Sequence, residues 1–286
     1  MNKKRQLRYH FKRGVRTVNF WVQLQQICET EMPRPESYGW FHLLFFALSI
    51  IVGVLLCVTH KKGDDARVRR AVFVTGILVI FLEIFKMFVY SFYIEDNRLI
   101  WDFQWYAFPW QFCSTPMYVS ILSGIFKKGK VHHSLMAYLA TYALFAGLCV
   151  MFYPSDVFIG EIGVNVQTMI CHGSMLTIAI YLYGSGYVKT EHKTILRAIP
   201  VFAAVVGIAA LLNEVMFHSG IIGDETFNMF FISPHFEGTL PVYSSVQAVV
   251  PFPWCLIIYI LAFSAASYIM LLGAWGIKKL FKRKKA

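Results

Sequence analysis

The chain has 286 residues, 57% of them hydrophobic and only 15% charged, and its mean hydropathy is +0.54. That balance lies far from the soluble average and excludes an ordinary soluble enzyme. The formal net charge of +11 would suit nucleic acid, but the basic residues are partitioned between connections in a way that a membrane explains better.

In chain order, residues 1–38 form a basic tail carrying Lys3, Lys4, Arg5, Arg8, Lys12, Arg13, Arg16 and Arg34. Within it the stretch 15–28 (VRTVNFWVQLQQIC) reads as an amphipathic interfacial helix, too short to span a bilayer. No signal peptide is read, because the first long apolar run follows only after some forty polar, basic and aromatic residues. Apolar stretches of about 20 residues then predict transmembrane helices at 40–59, 71–93, 107–126, 135–152, 166–187, 195–217 and 254–277. Most of their connections are short. The predicted fold is therefore an all-α, seven-helix transmembrane domain over residues 39–277, followed by a basic tail at 278–286.

Lys61, Lys62, Arg67, Arg69 and Arg70 lie between the first two predicted spans. Lys127, Lys128 and Lys130 lie between the third and fourth, and Lys189, Lys193 and Arg197 lie around the connection of the fifth to the sixth. Lys278, Lys279, Lys282, Arg283, Lys284 and Lys285 follow the seventh. The alternate connections hold Arg98 alone. This positive-inside pattern predicts a multi-pass protein of the cell membrane with a cytoplasmic C-terminus and an N-terminus outside; the basic N-terminal tail runs against the pattern. The basic runs read as contacts to anionic lipid. The expected partners are membrane lipids, with no nucleic acid and no soluble cofactor, and the oligomeric state is left open.

Five of the six cysteines (Cys57, Cys113, Cys149, Cys171 and Cys255) fall in or beside spans. Their spacing fits no zinc pattern, and no ATP, nicotinamide or metal motif appears. No metal and no cofactor are expected.

With this topology, Cys113 and His172 lie about 9 Å inside the outer ends of their spans. His42, Asn213 and Glu214 fall near the same level, and Glu83 and Lys86 lie deeper. An ionisable residue in hydrocarbon is a candidate functional residue. Helical spacing gathers Gln111, Thr115 and Tyr118 on one stripe of the third span, Ser134, Tyr138 and Thr141 on the fourth, Glu83, Lys86 and Tyr90 on the second, and Asn165, Thr168 and His172 on the fifth. A regular helix turns Cys113 away from its stripe. Pro116 is able to break that helix, with Ser114 or Thr115 as its cap, and to leave Cys113 on irregular backbone. Each feature also has a structural reading. Glu83 and Lys86 at i, i+3 neutralise each other, His172 ties helices together, Cys113 packs, and Asn213 and Glu214 bond the end of their span. Residues 93–106 are expected at the outer interface, and the long connection 218–253 supplies a re-entrant or lid segment through FNMFFISPHF.

Several phrases resemble the YwaF-like family of integral membrane proteins, which includes a vertebrate ether-phospholipid acyltransferase. They are Phe41-His42, Pro109-Trp110-Gln111-Phe112-Cys113, His172-Gly173, the stretch 228–232, and Pro251-Phe252-Pro253-Trp254. The resemblance covers residues 38–275 and implies a seven-helix bundle. It also implies His172 as a catalytic residue. The family's third-span motif reads Pro-x-His-x-Cys where this chain has Gln111 in place of the histidine. The nucleophilic cysteine of the vertebrate member falls nearer the position of Trp110 than of Cys113.

Together these readings predict a polar pocket in the outer half of the bundle, acting on a lipid acyl group as an acyltransferase or acyl hydrolase. His172 is the expected general base, Cys113 the thiol, and His42, Glu83, Lys86, Gln111, Thr115, Tyr118, Asn213 and Glu214 line the substrate site. Gln111 and Asn213 are expected to steady an oxyanion. The alternative is non-enzymatic binding or transport of an amphiphile or small molecule through the bundle.

Overall fold

The computed structural model describes residues 19–237 and 240–283, and much of the predicted basic tail (residues 1–18) lies outside them. Helix α1 (Phe20–Cys28) is capped by Asn19, whose side chain accepts from the Trp21 N–H. It lies within the stretch 15–28, whose first four residues are outside the described ones. Its buried Gln25 donates to the carbonyl oxygens of Val89 (3.4 Å) and Phe92 (3.1 Å), fastening the helix to the end of the second predicted span.

Among the described residues, five helices are long and apolar enough to cross a bilayer: α2 (Trp40–Val58), α3 (Asp65–Ser91), α5 (Gly129–Phe152), α7 (His192–Ser219) and α9 (Trp254–Arg283). These correspond to five of the seven predicted spans. The other two differ for separate reasons. The third predicted span is not one helix. Residues 105–107 form a 3-10 turn, irregular backbone follows through Pro109, and α4 (Thr115–Ile125) is only 11 residues long. At about 1.5 Å per residue it covers roughly half of the hydrocarbon thickness. Pro116 sits in its first turn, where a missing N–H costs nothing. The fifth predicted span is a continuous helix, α6 (Ile162–Gly184), but it is mostly buried against α2, α3 and α5. Protein instead of lipid surrounds it, so it tolerates Asn165, Gln167, Thr168 and His172 and falls short of a spanning helix in hydropathy.

α6 and α5 form the centre of the bundle. α6 approaches α2 along small residues: a Cβ on Gly173 would lie 2.1 Å from Ser49 Oγ, and Thr177 donates to the Ser49 carbonyl at 2.8 Å. Close backbone approach through small residues is how helices associate where lipid supplies no hydrophobic driving force. On the other side of α5, Tyr142 stacks on Phe202 (centroids 4.3 Å apart), and its hydroxyl meets Ser264 Oγ at 2.6 Å. That joins α5, α7 and α9.

The outer connection predicted at 93–106 contains a β-hairpin, β1 (Phe92–Glu95) with β2 (Arg98–Trp101), in register Phe92 to Trp101. Asp96 and Asn97 both have positive φ, the backbone of a two-residue hairpin turn in which Asn and Asp are tolerated. The 218–253 connection holds a 3-10 turn at Met229–Phe231 and the short helix α8 (Pro241–Val249). Phe227, Met229, Phe230 and Ile232 are fully buried. The FNMFFISPHF stretch is thus folded into the bundle and does not lie over it as an open flap.

The hairpin, α1 and the α5–α6 connection share one end. Met32 N–H donates to Gly160 O at 2.7 Å and Ile162 N–H to Thr30 O at 3.0 Å, so residues 30–32 belong to that end. The basic connections occupy the opposite end, where His132 bonds Ser123 O and the Tyr187 hydroxyl.

Candidate functional site

His172 lies on α6, one residue from the close approach at Gly173. Its Nδ1 donates to the Thr168 carbonyl at 2.8 Å. That bond places the proton on Nδ1 and the lone pair on Nε2. Nε2 has no hydrogen-bond partner, and the residue is only 6% exposed. A buried, unpartnered basic nitrogen is an exception to the rule that interior polar atoms are satisfied.

A polar chain leads to this ring from α3. Lys86 pairs with Glu83 one turn earlier. Glu83 Oε2 accepts from Gln167 Nε2 at 3.1 Å, and Gln167 Oε1 accepts from Thr168 Oγ1 at 3.3 Å. The carbonyl of that same Thr168 holds His172. Cys113 sits on the irregular backbone before α4, as the Pro116 break allows. Its thiol is free, and the residue packs against the hydrophobic core. It makes no hydrogen bond to His172, whose Nδ1 is taken and whose Nε2 is unmet.

The remaining predicted site residues are engaged elsewhere. Gln111 donates to Asn228 O (3.1 Å) and accepts from Phe230 N–H (2.9 Å). Asn213 donates to Met229 O (3.0 Å) and accepts from Met229 N–H (2.7 Å). Each uses both ends of its amide to hold the 228–230 turn, so neither is poised to steady an oxyanion. Tyr118 donates to Pro109 O at 2.9 Å, pinning the turn before α4. Thr115 donates to Phe112 O and shares a 2.7 Å bond with the Tyr138 hydroxyl. His42 accepts from Tyr38 N–H at Nδ1 (3.0 Å), and its Nε2 lies 2.9 Å from Met151 O, tying α2 to the end of α5.

The polar residues expected in one pocket are therefore dispersed: His42, Thr115 and Tyr118 bond separately, and the others fall into two sets. One is Glu83, Lys86, Gln167, Thr168 and His172 between α3 and α6. The other is Gln111 and Asn213 around the 228–230 turn, with Glu214 beside it. A cavity of about 20 Å³ lies between α3, α4, α5 and α6, lined in part by Gly76, Ser120, Cys171 and Ser174. It admits about one water and no acyl chain.

Sequence reading missed one cluster. Glu214 accepts from His235 Nε2 with its two oxygens at 3.1 and 3.0 Å, and His218 Nε2 stands 3.5 Å from Glu214 Oε2. The Glu-x-x-x-His spacing on α7 was a visible signal. The third member, His235, follows 21 residues after Glu214 on the far side of the buried turn.

Among the described residues, five long apolar helices, with α5 and the more polar α6 at the centre, define a multi-pass, all-α membrane protein. A protein-family comparison agrees: the TMEM164 family model matches residues 37–271, and the chain belongs to that family. Comparison with curated proteins and with solved structures returned no match.

Proposed function

We propose that the chain acts on the acyl group of a membrane lipid, with His172 as general base. The observation that carries this reading is the buried, unpartnered Nε2 of His172, with its lone pair directed by the Nδ1–H bond to Thr168. A neutral imidazole oriented through one nitrogen and free at the other is what proton abstraction from a thiol or hydroxyl requires. The resemblance to a family that includes an ether-phospholipid acyltransferase supports the same residue. Thr115 and Tyr118 have committed their hydroxyls, which leaves Cys113 as the candidate nucleophile. In this reading, substrate entry separates the helices around the 20 Å³ cavity and closes the gap between Cys113 and His172. Catalytic hydrogen bonds often tighten only in the substrate complex.

The same proposal treats α4 with its irregular approach, and the wrapped α6, as the two passages that complete seven. The basic end then faces the cytoplasm and the hairpin end faces outward.

A second reading has one observation in its favour. The continuous chain Lys86–Glu83–Gln167–Thr168–His172 is equally a polar path for binding or passing an amphiphile.

The deciding experiment places the purified chain in vesicles of glycerophospholipid with one labelled acyl chain, together with a lysophospholipid acceptor. The label is expected to move to the acceptor. Cys113→Ala and thiol alkylation are expected to stop it. Bound lipid without any label movement, by protein that still unfolds cooperatively, would favour the second reading over the first.

A further inference from the structure

We infer that Glu214, His218 and His235 form a binding site for a divalent cation of the zinc class, which clips the 228–235 segment to α7. The three side chains each present one ligand atom, and these atoms all lie within 4.8 Å of one another. The separations from Glu214 to the two rings are 3.0 to 3.5 Å. Ligands held about 2.0–2.2 Å from a tetrahedral ion stand roughly 3.3–3.5 Å apart, so little movement is needed to admit one.

The arrangement is built into the fold at three points. Glu214 and His218 are one turn apart on α7 and share a face. Asn213, next to Glu214, grips Met229 through both its backbone groups, which sets the register of the segment carrying His235. The His235 ring lies flat on Phe217, with centroids 3.7 Å apart and planes 3° off parallel, so its orientation is fixed by packing.

The donor set selects the ion. Two imidazole nitrogens and one carboxylate suit zinc and its neighbours and not magnesium or calcium, which demand oxygen. Three protein ligands with the His218 side chain 69% exposed leave an open coordination position toward solvent. The location favours positive charge: the cluster lies in the last turns of α7, at the negative end of the helix dipole. The connection from His218 to Pro253 carries no Lys or Arg.

The test uses the full-length, tag-free chain in detergent, stripped with chelator and titrated with Zn²⁺, with bound metal measured after dialysis. One zinc per chain is expected. His218→Ala and His235→Ala should each weaken binding by about 10-fold or more. Co²⁺ on the unmodified chain should give the visible absorption of a four-coordinate nitrogen–oxygen site, which guards against a variant that fails to fold. Failure of the unmodified chain to take up zinc would overturn the inference. So would zinc binding unaltered by both substitutions, or a six-coordinate Co²⁺ spectrum. None of these results bears on His172, so the site stands or falls apart from acyl transfer.

Discussion

Glu83→Ala is expected to cost about 3 kcal/mol of stability, because removing one partner of a buried ion pair strands the other charge. Glu83 is 4% exposed on α3, with Lys86 against one oxygen and Gln167 donating to the other. Lys86, with its side chain 17% exposed, gains some relief by stretching toward water; this holds the loss at the low end of the range for broken pairs. The double variant Glu83→Leu with Lys86→Met is expected to recover most of it, since an apolar replacement of a buried pair is often neutral. Equilibrium unfolding in detergent micelles measures both. A single variant as stable as the parent would show that the pair does not hold the bundle together.

Asn213→Ala is expected to have an effect of comparable size. The side chain satisfies both backbone groups of Met229, a residue with no exposure. Each of the two buried groups left unmet costs about 1–3 kcal/mol, so a loss of about 2–6 kcal/mol is expected. Loosening should concentrate in the 227–237 segment. Limited proteolysis is expected to cut there first in the variant and not in the parent. Global destabilisation without new cleavage in that segment would contradict the role assigned to the clamp.

Hydropathy made α2, α3, α7 and α9 legible because their outward faces are apolar, and α5 because it packs as apolar core at the centre. The same rule marked α6 as a span, although its burial frees it from that constraint. The short α4 was readable only as a choice: Pro116 announced that a break was possible, and the backbone around Cys113 took it. The hairpin has Asp96 and Asn97 as turn residues of the right type, but strands of four residues each carry too little alternation to announce themselves between two helices. The roles of Gln111 and Asn213 were not legible. Their partners are backbone atoms of the 228–230 turn, and backbone carries no sequence signal; for Gln111 those atoms lie 117 and 119 positions away. Equal depth in the bilayer suggested that His172, Gln111, Asn213 and Glu214 share a pocket. Depth does not fix azimuth, and their hydrogen bonds divide them between the α3–α6 seam and the buried turn. His172 was legible twice, from its position within an apolar span and from the resemblance. Only the structure shows that one nitrogen is anchored and the other free.

The central claim is that this free nitrogen serves as a base in lipid acyl chemistry. It is tested most directly by measuring acyl movement between labelled phospholipid and lysophospholipid for the parent chain and His172→Ala, each first shown to be folded. The substitution removes a hydrogen bond within α6 and leaves a cavity where the buried ring stood, so the unfolding midpoint should fall, and turnover is compared only for protein that remains folded. Turnover should fall by about 10²–10⁴-fold, the usual contribution of a general base. Turnover by the folded variant within about threefold of the parent, far short of that contribution, would contradict the account.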